Sequence, residues 1–216
     1  MTFHRAWGVV RLMLATLVLV AIGYQLAIQI RLDQSVLNFF SYFTNLSNLF
    51  AAVVLLLGGQ RLLKSRGTLD LDAQVRALSA VNMTVVGIVF VALLRNVDLG
   101  SLLPWINVVL HYLMPCAVVL DWLLQPPQVK LGTKHVLFCL IFPALYLIYV
   151  LIRGAAVDWY PYPFLNPANV GGYGAVAPYA VGIAVTFLLA GWALIAVGNR
   201  LESQGSQDSP ARPAPL

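Results

Sequence analysis

Six stretches of this chain run almost free of charge for the length of a bilayer crossing, and that feature decides what the chain can fold into. A transmembrane helix needs about 20 mostly apolar residues to cross about 30 Å of hydrocarbon. Helices are predicted at about residues 8–30, 36–59, 77–95, 103–125, 135–153 and 174–198. The Tyr-Pro-Tyr-Pro stretch from Tyr160 to Pro163 cannot be regular helix, so the last helix is placed after it. Composition agrees. Apolar residues make up 60% of the chain and charged residues only 10%, against about 25% charged in a soluble domain. A soluble enzyme, a coiled coil and a disordered chain are excluded. The expected fold is an all-α integral membrane protein, a six-transmembrane-helix bundle occupying residues 1–199.

Basic residues set the expected orientation. Arg5 and Arg11, then Arg61, Lys64, Arg66 and Arg76, then Lys130 and Lys134, then Arg200 and Arg212 fall on one side, ten in all. Arg31, Arg95 and Arg153 fall on the other. Cytoplasmic loops retain the excess of Lys and Arg, so N- and C-termini are both expected in the cytoplasm of a cell-membrane protein. Arg11 is expected to snorkel at the start of the first helix. The net charge of +5 belongs to those loops, and no nucleic acid partner is implied. The first apolar run is as long as a full span and is expected to remain as an anchor. Residues 200–216 are small, polar and Pro-rich, and are expected to form a disordered cytoplasmic tail. Cys116 and Cys139 sit inside apolar runs and are expected to act as small hydrophobes.

Polar groups at bilayer depth are costly and turn towards the bundle interior. The second helix carries Ser41, Thr44, Asn45 and Asn48 within about half its circumference, opposite Phe39, Phe43 and Phe50. The fourth carries Asn107, His111 and Asp121 on one arc, and Pro115 frees the carbonyl of His111. Both helices enter from the outer face, and at 1.5 Å per residue Thr44 and His111 each lie about 12 Å down. A hydroxyl beside an imidazole is the minimal nucleophile and base. The same residues also serve as interhelical glue, with Thr bonding its own helix. Asp121 lies about 15 Å from His111 along the helix, too far to orient it. Ser41, Asn45, Asn48 and Asn107 are candidate pocket or oxyanion groups. Tyr160, Tyr162 and Phe164 form either a lid over an outward pocket or an interfacial aromatic belt. One buried histidine without Glu or Cys neighbours builds no zinc site, so neither metal nor cofactor is expected.

Three motifs taken together carry a resemblance. Phe40-Ser41-Tyr42-Phe43-Thr44-Asn45-Leu46-Ser47-Asn48, His111-Tyr112-Leu113-Met114-Pro115 with Asp121-Trp122, and Tyr160-Pro161-Tyr162-Pro163-Phe164-Leu165 resemble the androgen-induced membrane protein superfamily. More closely they resemble its bacterial branch of six-helix "Pr6Pr" proteins, over about residues 5–200. The eukaryotic relatives hydrolyse fatty-acid esters of hydroxy fatty acids with a threonine and a histidine. The resemblance implies Thr44 as nucleophile and His111 as base, acting on a lipid-like small-molecule substrate drawn from the membrane lipids. The competing readings are a non-catalytic carrier or sensor of a lipid or small solute, and a structural membrane subunit.

Overall fold

A computed structural model describes residues 3–64 and 70–207, and every regular element among them is helical. Six of those helices are long and apolar enough to cross a membrane: α1 (Phe3–Arg31), α3 (Phe43–Leu63), α4 (Asp72–Leu94), α5 (Pro104–Leu124), α6 (Thr133–Val157) and α7 (Tyr173–Ser203). A short α2 (Val36–Phe40) precedes α3. Helix satisfies every backbone group within its own segment, which lipid demands. Lipid itself gives apolar helices no reason to associate, so close packing of small residues does that work. Ala15, Ala21, Ala51 and Ala52 are wholly buried between α1 and α3. The two backbones nearly touch at Gly8 and Gly59, where a Cβ on Gly59 would stand 2.9 Å from the Gly8 carbonyl oxygen. Helix α4 is central, packed on α3, α5 and α7. Helices α6 and α7 are peripheral, with Ile152, Leu189 and Trp192 on the outside.

Several boundaries differ from the sequence expectation. The helix expected over 36–59 is broken: Tyr42 takes an extended backbone (φ −78°, ψ 126°) between α2 and α3. Helix α4 starts before residue 77, because Asp72 pairs with Arg61 and Arg76 is consumed inside the bundle. Helix α6 carries a turn at Cys139–Leu140, where Pro143 cannot donate to the carbonyl of Cys139. The last helix continues to Gln207. The first eight residues expected in the disordered tail, 200–207, are therefore helical, since none of them is a proline to stop the span. Residues 208–216 of that tail and Arg66 lie outside the described residues.

Arg11 does not snorkel. It is buried, donating from Nε to Asp121 Oδ1 at 2.5 Å and from Nη2 to Oδ2 at 3.1 Å. Trp7 Nε1 donates to Oδ1 at 2.8 Å, and Arg76 Nη2 donates to Oδ2 at 3.2 Å and to the Gln125 carbonyl at 2.6 Å. Gly58 makes room, since a Cβ there would lie 2.8 Å from Arg11 Nη1. This ionic knot ties α1, α4 and α5 at the end of the bundle that bears the termini.

Candidate functional site at the far end of the bundle

The opposite end is built around the break before α3. The first N–H groups of any helix lack partners within it, and Tyr42 supplies no side-chain cap. Two distant phenols serve instead. Phe43 N–H donates to Tyr146 Oη at 3.2 Å, and Thr44 N–H donates to Tyr162 Oη at 3.4 Å. Tyr146 in turn donates to the Ser41 carbonyl at 2.8 Å. The Ser41 hydroxyl bonds the Leu37 carbonyl at 2.7 Å and Tyr149 Oη at 2.8 Å. Asn45 Nδ2 closes the bend on the Phe39 carbonyl at 2.7 Å. Thr44 thereby sits in the first turn of a 21-residue helix, at the positive end of its dipole.

His111 lies in a π-helical turn, Val109–Leu113, just before Pro115. A matching wide turn, Phe90–Leu94, interrupts α4. The Phe90 ring stacks on the imidazole with centroids 4.0 Å apart, and Gly87 admits Pro115 alongside. His111 Nδ1 stands 3.3 Å from the Asn107 carbonyl oxygen. A carbonyl only accepts, so the bond requires the proton on Nδ1 and leaves Nε2 as a free acceptor. Asn48 joins the two helices, its Nδ2 donating to the Thr44 carbonyl at 2.9 Å and to the Leu110 carbonyl at 3.2 Å. One amide thus bridges the nucleophile candidate and the residue before the base candidate.

Thr44, Asn45 and His111 line one polar cavity of about 580 Å³, together with Tyr160 and Tyr162. A second cavity of about 260 Å³, almost wholly apolar, lies deeper and is lined by Thr44, Tyr162 and Phe164 with residues of α4, α6 and α7. Tyr162 and Phe164 are buried and stacked at 5.3 Å, whereas Tyr160 is half-buried. The loop after α6 therefore dips into the bundle and seats Tyr162 between the cavities. Burial pushes the Tyr162 phenol up to about 12, so it stays a neutral donor at any physiological pH. Ser41, Asn48 and Asn107 stand behind the cavity wall. Ser41 spends its hydroxyl on the Leu37 carbonyl and Tyr149, and Asn48 spends its Nδ2 on two carbonyls while its Oδ1 is buried without a protein partner. Asn107 Oδ1 is buried without a protein partner.

Sequence reasoning passed over α6, where Tyr146, Tyr149 and Arg153 occupy one face at i, i+3 and i+7. Such a polar row on an otherwise apolar helix is a readable signal. Arg153 Nη2 donates to Asn38 Oδ1 at 2.6 Å, and its guanidinium lies 5.0 Å from the Trp159 ring centroid. On α1, Gln25 was also passed over. It is buried and holds both the Ser101 carbonyl and the Leu103 N–H.

Fold and site define a multi-pass α-helical membrane protein with a polar cavity at one end. Compared with protein-family models, with curated proteins and with solved structures, the chain has no match.

Proposed function

We propose that the protein is an integral-membrane hydrolase of lipid-like esters, with Thr44 as nucleophile and His111 as base. The observation that carries this reading is the shared wall: Thr44 and His111 line the same cavity from two different helices. The likeness of its three motifs to the androgen-induced membrane protein superfamily and its "Pr6Pr" branch supports the same roles. The excess of Lys and Arg at the end bearing the termini supports a cytoplasmic placement of both, with the cavity outward in the cell membrane.

In this mechanism Nε2 of His111 takes the Thr44 hydroxyl proton as Oγ1 attacks the ester carbonyl. The tetrahedral oxyanion is met by the Tyr162 hydroxyl and by the positive end of α3. His111 then returns the proton to the departing alkoxide. Water, deprotonated by the same imidazole, then attacks the acyl-threonine, and the imidazolium returns its proton to Thr44 Oγ1 as the acid leaves.

The test is turnover of a branched fatty-acid ester by purified protein in detergent, with thermal stability followed in parallel. Thr44→Val removes the hydroxyl but keeps the shape, and is expected to abolish turnover without unfolding. Thr44→Ser is expected to retain part of it. His111→Ala matches the loss in Thr44→Val, and the double variant is no worse, because groups acting as one unit are strongly non-additive. Turnover surviving in Thr44→Val ends this mechanism and promotes the carrier reading.

A further inference from the structure

Two cavities of opposite character share a boundary. Thr44, Leu94 and Tyr162 line both the polar and the apolar one. We infer that the apolar cavity is the tail site for a single-chain amphiphile with an uncharged polar head, entering sideways from the bilayer between α6 and α7. Its head group occupies the polar cavity and its linkage lies at Thr44 and Tyr162. The position of the linkage rests on the hydrolase reading, whereas the two-part binding does not.

The route is visible in the packing. The apolar cavity lies between Val85 and Val89 of α4, Ala144 and Leu147 of α6, and Ala180 and Ala184 of α7. Ala144 and Ala184 both line it and are both exposed, so two small side chains stand on its wall at the α6–α7 side. Helix α7 packs closely on α4 and on residues 133–138 of α6. Beyond the turn near Pro143, the rest of α6 makes no comparable approach to it. The gap lies along two membrane-spanning helices and therefore faces lipid tails.

Chemistry selects the head. An acyl chain moving from lipid into an apolar cavity gains no hydrophobic energy, because the bilayer was as apolar as the cavity. Discrimination therefore falls to the polar cavity. Its wall is rich in neutral amides, Gln29, Gln34, Asn38, Asn166 and Asn169 among them. Among the described lining residues there is no Lys or Arg, and Asp98 is the one carboxylate, already accepting from Gly100 N–H. The Arg153 guanidinium, which does not line the cavity, is engaged by two wall residues, Asn38 and Trp159. An ionised carboxylate or phosphate entering here would lose water without finding a counter-ion. A hydroxyl-bearing ester head loses water and finds amides. The ligand class is the monoacyl ester of a neutral polyol, and the free fatty acid is disfavoured.

The test uses the full chain in lipid nanodiscs at neutral pH with three alkyne-tagged probes, each carrying a diazirine at the end of the acyl chain. One is a monoacylglycerol, the second the matching free fatty acid, the third the matching diacylglycerol. The monoacylglycerol is expected to crosslink saturably to peptides containing Ala144 and Ala184, with the fatty acid and the diacylglycerol about tenfold weaker. Ala184→Trp fills the cavity and should cut labelling about tenfold at an unchanged melting temperature. Ala144→Trp blocks it from the facing helix and reads the same loss if the first variant is unstable. Equal labelling by the fatty acid, or labelling untouched by both tryptophans, overturns the inference. Labelling that persists in Thr44→Val upholds the tail site whatever becomes of hydrolysis. Ester turnover with crosslinks elsewhere in the bundle removes the tail site and leaves the hydrolase standing.

Discussion

The two ends of the bundle hold polar groups at membrane depth in opposite ways. At the end bearing the termini, the Asp121 carboxylate receives Trp7, Arg11 and Arg76, and these groups are turned on one another. At the far end, Thr44 and His111 are each bonded into the protein through backbone or one ring nitrogen and keep one face on a cavity. The first arrangement is closed and holds three helices together. The second is supported from behind by Tyr146, Tyr162 and Asn48 and left open in front. A polar group buried without function is expected to look like Asp121, and one kept for a ligand like Thr44.

The largest effect separates the ends by stability. Asp121→Ala leaves two guanidinium groups buried without their carboxylate, and removing one partner of a buried ion pair costs about 3–5 kcal/mol. Thermal unfolding in detergent should show that loss, while Thr44→Val and His111→Ala stay within about 1 kcal/mol of the parent. An Asp121→Ala protein as stable as the parent would break the comparison at its closed end.

The contrast also explains what could be read from the chain. Hydropathy alone places the spans, and for α5 the expected 103–125 and the observed Pro104–Leu124 differ by one residue at each end. It could not show the break at Ser41–Tyr42, which contains neither Gly nor Pro. That break is held by Tyr146 and Tyr162, more than 100 residues away in the chain. Arg11 was misread for the same reason, since its partner is 110 residues distant. Depth along two helices of the same direction is a local quantity, and it brought Thr44 and His111 to one level. Which polar side chains face the cavity is not local. Asn48 and Asn107 carry the same amide as Asn45, and Ser41 is as polar, yet none of these three lines the cavity.

An intermediate effect sharpens the open end. Asn48→Leu keeps the volume and removes the amide that bridges the Thr44 and Leu110 carbonyls. Interhelical hydrogen bonds in membranes average about 0.6 kcal/mol, so stability should fall only slightly. Ester turnover should fall by about 10- to 100-fold, because small displacements of paired groups cost far more in rate than in stability. Equal, small losses in both would reduce Asn48 to packing.

The smallest effect on stability at neutral pH concerns Tyr162→Phe. The lost hydroxyl frees the Thr44 N–H, but the neighbouring cavity lets water replace it, so stability should change by only a few tenths of a kcal/mol. Alkaline pH magnifies the difference in a definite direction. The buried phenol ionises only at about 12, against an ordinary value of 10.0 in the unfolded chain. Above pH 10 the unfolded state therefore releases a proton that the folded state retains, and the parent loses stability as pH rises from there towards 12. The phenylalanine variant lacks this loss. Melting temperatures followed from about pH 9 to about pH 11 should fall more steeply for the parent than for Tyr162→Phe. Parallel curves would mean that Tyr162 is exposed to water, and the boundary between the two cavities would then lie elsewhere.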